Sequence, residues 1–278
     1  MPSATRTPNF WSQAAVIAAL AACASTGSAE AQTVVMTGLD NPRGLAFAAN
    51  GALYVTEAGR GGPAGPNNCG VNGAGEFRCY GRTGAITRLW KGQQSRVAEG
   101  LPSHALTDGS AAGGPNGISF QGTGGAYITL GLGGGVEFLE DLASEFLGTI
   151  IHMSTSGKWK VVADVALYEF DNNPAGGPVD SNPFGVLAEP GDHLVADAGA
   201  NVLLRVAADR TIETLAVFPS QSNPTAIGPP QIEPVPTSVA RGPDGALYVG
   251  QLTGADGAIY VTNHGIAPGA GEVLKIAP

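Results

Sequence analysis

Residues 236–251 read PTSVARGPDGALYVGQ. A Pro-led start runs into a short apolar strand, then Asp244-Gly245, then a second strand rich in Val and Tyr. Asp-Gly tolerates the positive φ angles that a tight hairpin turn demands, so the stretch predicts a β-hairpin. The same pattern recurs three times upstream: NPRGLAFAANGALYVTE at 41–57, GPNGISFQGTGGAYITL at 114–130 and NPFGVLAEPGDHLVAD at 182–197. Their turns fall at Asn50-Gly51, Gly124-Gly125 and Gly191-Asp192.

The first three hairpins each continue as strand, polar turn, strand: GAITRLWKGQQSRVAEGL (84–101), GTIIHMSTSGKWKVVADV (148–165) and NVLLRVAADRTIETLAVF (201–218). One unit is therefore a four-stranded antiparallel meander. Radial repetition of such sheets protects their edges from open pairing. The expected fold is all-β, a β-propeller of about four blades. Complete sheets are expected near 42–100, 115–166 and 182–218, with a fourth, hybrid sheet from 236–276.

Two irregularities bear on closure of the ring. QTVVMTGLDNP (32–42) resembles an outer strand, so Val34-Val35-Met36 pairing with Glu272 to Ile276 would close it. Against this, DGALYV (244–249) and DGAIYV (256–261) lie so close together that the last blade is able to complete itself. Its third strand would then be Ala258 to Val261 and its fourth Gly271 to Ile276. Burial favours closure and the tilt required of four blades resists it, so an open or strained assembly is expected.

The chain begins with a leader. Arg6 precedes an apolar run, Ala14 to Ala22, too short to span a bilayer, and Ala29-Glu30-Ala31 offers a cleavage site before Gln32. Residues 1–31 thus read as a secretory signal peptide and 32–278 as a single propeller domain. Leu20-Ala21-Ala22-Cys23 also matches a lipobox, and lipidation at Cys23 stays open as the rival processing route. No other stretch has the length and apolarity of a transmembrane helix. In an oxidising compartment Cys69 and Cys79 form an even pair, and a disulfide closing that short Gly-rich loop contributes about 2–3 kcal/mol. No nearby His supports a zinc site there.

Net charge is −9, from 14 Lys and Arg against 23 Asp and Glu. That balance argues against nucleic acid and anionic membranes as partners. The four histidines, His104, His152, His193 and His264, fit no metalloprotease spacing, and no serine has a nucleophile-elbow surround. Gly131 to Gly135 follows a strand, but the sequence after it is too short for a dinucleotide crossover helix. Val136 to Leu147 places apolar residues at helical spacing and predicts a short helix capping the ring. Asp164 to Asn182 predicts a turn of helix and then a loop.

The meander brings first-strand starts and second-strand ends to one face. The starts supply Arg43, Asn116, Asn182 and Thr237; the ends supply Glu57, Asp197, Gln251 and Asn263, with His264 adjacent. Carboxylates and amides around a funnel hold a hydrated divalent cation such as Ca2+, or a sugar-like ligand. Each also has a structural role open to it: Asn before Pro starts turns, and Asp197 and Asn201 suit turn bracing.

SNPFGV (181–186), LVADAGAN (194–201), VPTSVARGPDGALYVGQLTG (235–254), DGAIYVTNHG (256–265) and GEVLKI (271–276) together resemble the ScyD/ScyE family. These are exported propellers related to NHL-type and TolB-like six-bladed proteins. The resemblance spans 33–278 and implies an internal loss of about two blades between Thr253 and Ala255. It implies no catalytic residues. The preferred function is a non-catalytic module binding a small ligand, glycan or protein on the funnel face. A metal-assisted hydrolase of the lactonase type is the alternative.

Overall fold

The computed structural model describes residues 33–223 and 228–252, and the backbone of 273–276. The chain divides into two compact units, Met1–Thr37 and Gly38–Pro278. Of the first, residues 33–37 are described and form no strand.

The second unit is a β-propeller built of successive antiparallel blades. Blade 1 comprises β1 (Pro42–Phe47), β2 (Leu53–Glu57), β4 (Phe77–Trp90) and β5 (Gln93–Ala105), with β3 (Cys69–Val71) added beside β4. Blade 2 is the meander β6 (Pro115–Phe120), β7 (Ala126–Leu130), β8 (Thr149–Met153) and β9 (Trp159–Asp164). Blade 3 is β10 (Pro183–Ala188), β11 (Asp192–Asp197), β12 (Val202–Ala207) and β13 (Ile212–Val217). After a small ribbon of β14 (Gln221–Ser222) and β15 (Gln231–Ile232), blade 4 has β16 (Pro236–Arg241), β17 (Leu247–Gln251) and β18 (Val273–Ile276). The four expected sheets are thus present.

The core lies between blades. Blade strands bury both faces, so successive residues serve different neighbours. In β8, Ile151 joins the core shared with blade 1, while Ile150 joins the one shared with blade 3. In β12, Val202 and Leu204 face blade 2, while Leu203 packs with Val239 and Val249 of blade 4. This is why TIIHM and VLLRV read as nearly continuous apolar runs.

Each inner strand begins with a bulge just after its proline, between Pro42 and Leu45, Pro115 and Ile118, Pro183 and Gly185, and Pro236 and Ser238. The glycines there are forced by the next blade. A Cβ on Gly44 would lie 2.5 Å from the Asn116 carbonyl oxygen, and one on Gly117 2.4 Å from that of Phe184. In blades 1 and 2 the bulge leaves the Gly44 and Gly117 amides outside the ladder, and a threonine replaces it. Thr56 Oγ1 accepts from Gly44 N at 2.8 Å and donates to the Asn116 oxygen of blade 2 at 2.6 Å. Thr129 Oγ1 repeats this with Gly117 N and the Phe184 oxygen of blade 3. In blade 3, Gly185 pairs directly with Ala196, which has no hydroxyl to offer. Thr56→Val and Thr129→Val are therefore expected to cost about 1–3 kcal/mol each, because buried groups lose their partners. Urea unfolding checks this, and losses below about 0.5 kcal/mol would show that the clasp carries no energy.

Three features depart from the sequence reading. Residues 33–39 carry no strand, so Val34-Val35-Met36 does not close the ring. β18 pairs with β17 instead, Tyr248 facing Lys275. The alternative third strand, Ala258 to Val261, lies outside the described residues. The inner strands pack in the series β1, β6, β10, β16, and its two ends make no comparable contact. On β1, Leu45 and Phe47 are each 66% exposed, as expected of an open flank. Second, the Cys69–Cys79 region is a hairpin extension of blade 1 and not a loop. The two cysteines are cross-strand partners of β3 and β4, bonded, with Cα atoms 4.0 Å apart. Asn72 holds its turn by accepting from Ala74 N and Glu76 N.

Third, the Val136–Leu147 segment is helical only over α1 (Val136–Asp141), because Ala143 turns to positive φ. Phe138, Leu142 and Leu147 still pack together, against Leu132 and Ala166. α2 (Val165–Asn172) starts at Asp164, whose carboxylate accepts from Leu167 N, and stops at left-handed Asn173.

Candidate functional site

The strand registers put the described sequence candidates on one face. Pro42 faces Glu57, Pro115 faces Leu130, Pro183 faces Asp197 and Pro236 faces Gln251. One structural position therefore carries Glu, Leu, Asp and Gln in the four blades, and all four side chains are buried.

Glu57 is fully engaged. It accepts from Thr87 Oγ1, from Arg96 Nη2 at 2.7 Å and from Asp40 N at 2.6 Å. Arg96 also reaches Asp40 Oδ2 at 3.0 Å. Burial pushes the Glu57 carboxyl up, but Arg96, the Asp40 amide and Thr87 outweigh it and hold the group below its ordinary range. Asp197 is engaged differently, with no cation. Its Oδ1 accepts from Asn182 N at 2.7 Å and from Gly199 N and Ala200 N at 3.1 Å each, and its Oδ2 accepts from Ser181 Oγ at 2.7 Å. Burial dominates these bonds and raises its carboxyl.

The remaining candidates are spread along the same face. Arg43 is exposed and donates to the Ala112 oxygen at 2.6 Å. Asn116 is buried, with Nδ2 donating to the Pro183 oxygen at 3.2 Å. Asn182 is half-buried, and its Oδ1 and the Asn116 Nδ2 converge over Gly131. A Cβ at Gly131 would lie 2.2 Å from Asn116 Nδ2 and 2.6 Å from Asn182 Oδ1, which explains the glycine after β7. Thr237 is half-buried against Gly185. Gln251 is 1% exposed and its Nε2 has no partner among the described residues. Asn263 and His264 lie outside the described residues.

Two acidic residues were missed in the sequence. Glu169 of α2 is 2% exposed with Oε2 unpartnered, and burial, then Asp197 and Asp180, push its carboxyl up to about 7. Asp180 has Oδ1 unpartnered and is pushed up to about 6 by burial, then Asp197 and Glu233. The DSN triplet at 180–182, just before an inner-strand proline, was the available signal for Asp180; Glu169 sits in a helix with no motif.

A calcium ion needs several carboxylate or carbonyl oxygens converging on one point. Among the described residues, no three His, Cys, Asp or Glu side chains converge in that way. Glu57 is neutralised by Arg96, and Asp197 is wrapped in amide donors. The described residues do not fit the ion.

No family model matches the chain, and no curated protein matches it. Solved structures similar to it include a virginiamycin B lyase from Staphylococcus aureus, solved with quinupristin: 15% identity, 83% of this chain and 58% of that one, TM-score 0.43. A gluconolactonase from Xanthomonas campestris matches at 15% identity over 78% of this chain and 57% of that one, TM-score 0.42. A chain of a nidogen–laminin complex matches at 12% identity over 77% and 75%, TM-score 0.32. The chain spans less than two thirds of the length of the first two. At these identities and TM-scores none carries an activity over to this chain.

Proposed function

We propose that the chain is an exported, non-catalytic binding or accessory module of the ScyD/ScyE type, acting through the face where the inner strands begin. The observation that carries this reading is the engagement of Glu57 and Asp197. A general acid–base pair or metal cage needs carboxylate oxygens free to meet substrate. Here Glu57 and Asp197 hold the blades' own chain instead, and the carboxyls with an oxygen left, Glu169 and Asp180, are joined by no third ligand-type side chain among the described residues. Near this face, hydrogen-bonding capacity is left on the Gln251 amide and on the carboxyls of Glu169 and Asp180, both pushed up by burial and neighbouring acids. With the half-buried Asn182 amide, this chemistry suits a hydroxyl-rich ligand such as a glycan. The Cys69–Cys79 bond and the signal-like leader support export.

The test pairs glycan-array binding with a lactonase assay on gluconolactone, with and without Ca2+. Expected are saturable glycan binding, weakened about tenfold by Asn182→Ala, and lactone hydrolysis at the uncatalysed rate. Ca2+-dependent turnover abolished by a folded Glu57→Gln variant would overturn the module reading in favour of the lactonase.

A further inference from the structure

The opposite end of the blades carries a different chemistry. There the β6–β7, β10–β11 and β12–β13 turns border a cavity of about 340 Å³ between blades 2 and 3. One wall is an aromatic stack. The Tyr127 ring lies 3.7 Å from the His193 ring at 34° and 4.9 Å from the His152 ring at 53°. His193 is 6% exposed, lines the cavity, and its Nδ1 has no hydrogen-bond partner. Val161 and Val162 supply apolar surface beside the stack.

The mouth is cationic. Lys160 and Arg210 both line it, both are exposed, and neither side chain makes a hydrogen bond or ion pair among the described residues. No described carboxylate lines the cavity. Asp192, whose charge acts on His193, and Asp209 flank the cavity in sequence but do not line it. Most of the other arginines are committed: Arg60 to Asp40, Arg78 to Glu76, Arg96 to Glu57, Arg205 to Glu213 and Arg241 to Glu189.

We propose that this cavity binds a small aromatic carboxylate. The carboxylate meets Lys160 and Arg210 at the mouth, where a charge-assisted bond is the strongest interaction on offer. The flat ring lies along the Tyr127–His152–His193 wall and the valines. The His193 ring, packed at 3.7 Å against Tyr127, holds that wall in place.

Para-hydroxybenzoate is the probe, titrated calorimetrically into the full exported chain at low ionic strength. One saturable site is expected. The Lys160→Ala/Arg210→Ala double variant is expected to bind about tenfold or more weakly, as is the uncharged methyl ester with the native protein. Tyr127→Ala, which removes the centre of the aromatic wall, is expected to weaken binding by about fivefold. Lys160 and Arg210 are exposed, so the double variant is expected to unfold at the native temperature. Absence of saturable binding, or equal affinity of acid and methyl ester, would overturn the proposal. Asn182→Ala is expected to leave this affinity unchanged; a parallel loss would place the ligand on the other face. The outcome is thus read independently of the glycan experiment.

Discussion

Arg96→Ala is expected to destabilise the protein by about 3 kcal/mol near neutral pH, more than any surface ion pair contributes. The reason is the asymmetry of the pair. The Glu57 side chain is fully buried, whereas 36% of the Arg96 side chain is exposed, so the figure sits at the low end for a broken buried pair. Removing Arg96 leaves a carboxylate in the blade 1–blade 2 region with only Thr87 and the Asp40 amide to stabilise its charge. The pH dependence follows from the sign of the native shift. Glu57 titrates below its ordinary value, so it contributes stability above that value and loses it as pH falls through the native pKa. In the variant the pKa rises, and the protonated carboxyl no longer needs a cation. The gap between native and variant is therefore largest at neutral pH and narrows on acidification toward about pH 4. Adding Glu57→Gln to Arg96→Ala is expected to restore part of the loss, since it removes the stranded charge. Chemical unfolding at neutral and acid pH measures both. A gap that is equal at the two pH values would show that Arg96 acts by packing alone.

How much of this was legible can be traced residue by residue. Each Pro-led repeat became the first two strands of a blade, and Gly51, Gly191 and Gly245 do take the positive φ their turns demanded. These are local signals, set by neighbours a few residues away. The Cys69–Cys79 hairpin was hidden because its Gly- and Pro-rich composition is that of a loop. The β3–β4 ladder, the disulfide and the Asn68 and Asn72 side chains hold it in register. Glu57, Asp197 and Gln251 do stand at the ends of their second strands opposite the inner-strand prolines, a placement that meander topology alone dictates. Topology does not dictate their bonding, because the deciding partner of Glu57 lies 39 residues away on another strand. The threonine clasps were missed for the same reason. Thr56 and Thr129 read as ordinary strand β-branched residues until the neighbouring blade's carbonyl is in place.

His104 gives the fold an acid-sensitive point. It lies in β5 at 2% exposure, with neither ring nitrogen hydrogen-bonded and its ring 5.3 Å from Phe138, nearly perpendicular. Burial first, then the Arg78 and Arg43 charges, lower its pKa to about 3; Glu76 and a contact with the Leu132 backbone, short of a full hydrogen bond, oppose them. The folded state therefore holds a neutral imidazole, while the unfolded chain takes up a proton below about pH 6.5. Between these values the unfolded state binds more protons, so stability is lost as pH drops, at up to about 1.4 kcal/mol per pH unit. The sum over the window reaches at most about 5 kcal/mol. Glu169 and Asp180 work in the other direction. Their folded pKa values, about 7 and about 6, lie above the ordinary carboxylate range, so they add stability as pH falls through them. A stability profile of the native protein alone thus mixes opposing signs. His104→Leu separates them, because leucine fills similar space and does not titrate. The variant is expected to gain on the native protein steadily as pH drops from about 6.5 toward about 4, by several kcal/mol at the acid end. Urea unfolding of both proteins across that range reads the difference directly. Parallel profiles would show that water reaches the ring and that His104 ionises inside the folded blade.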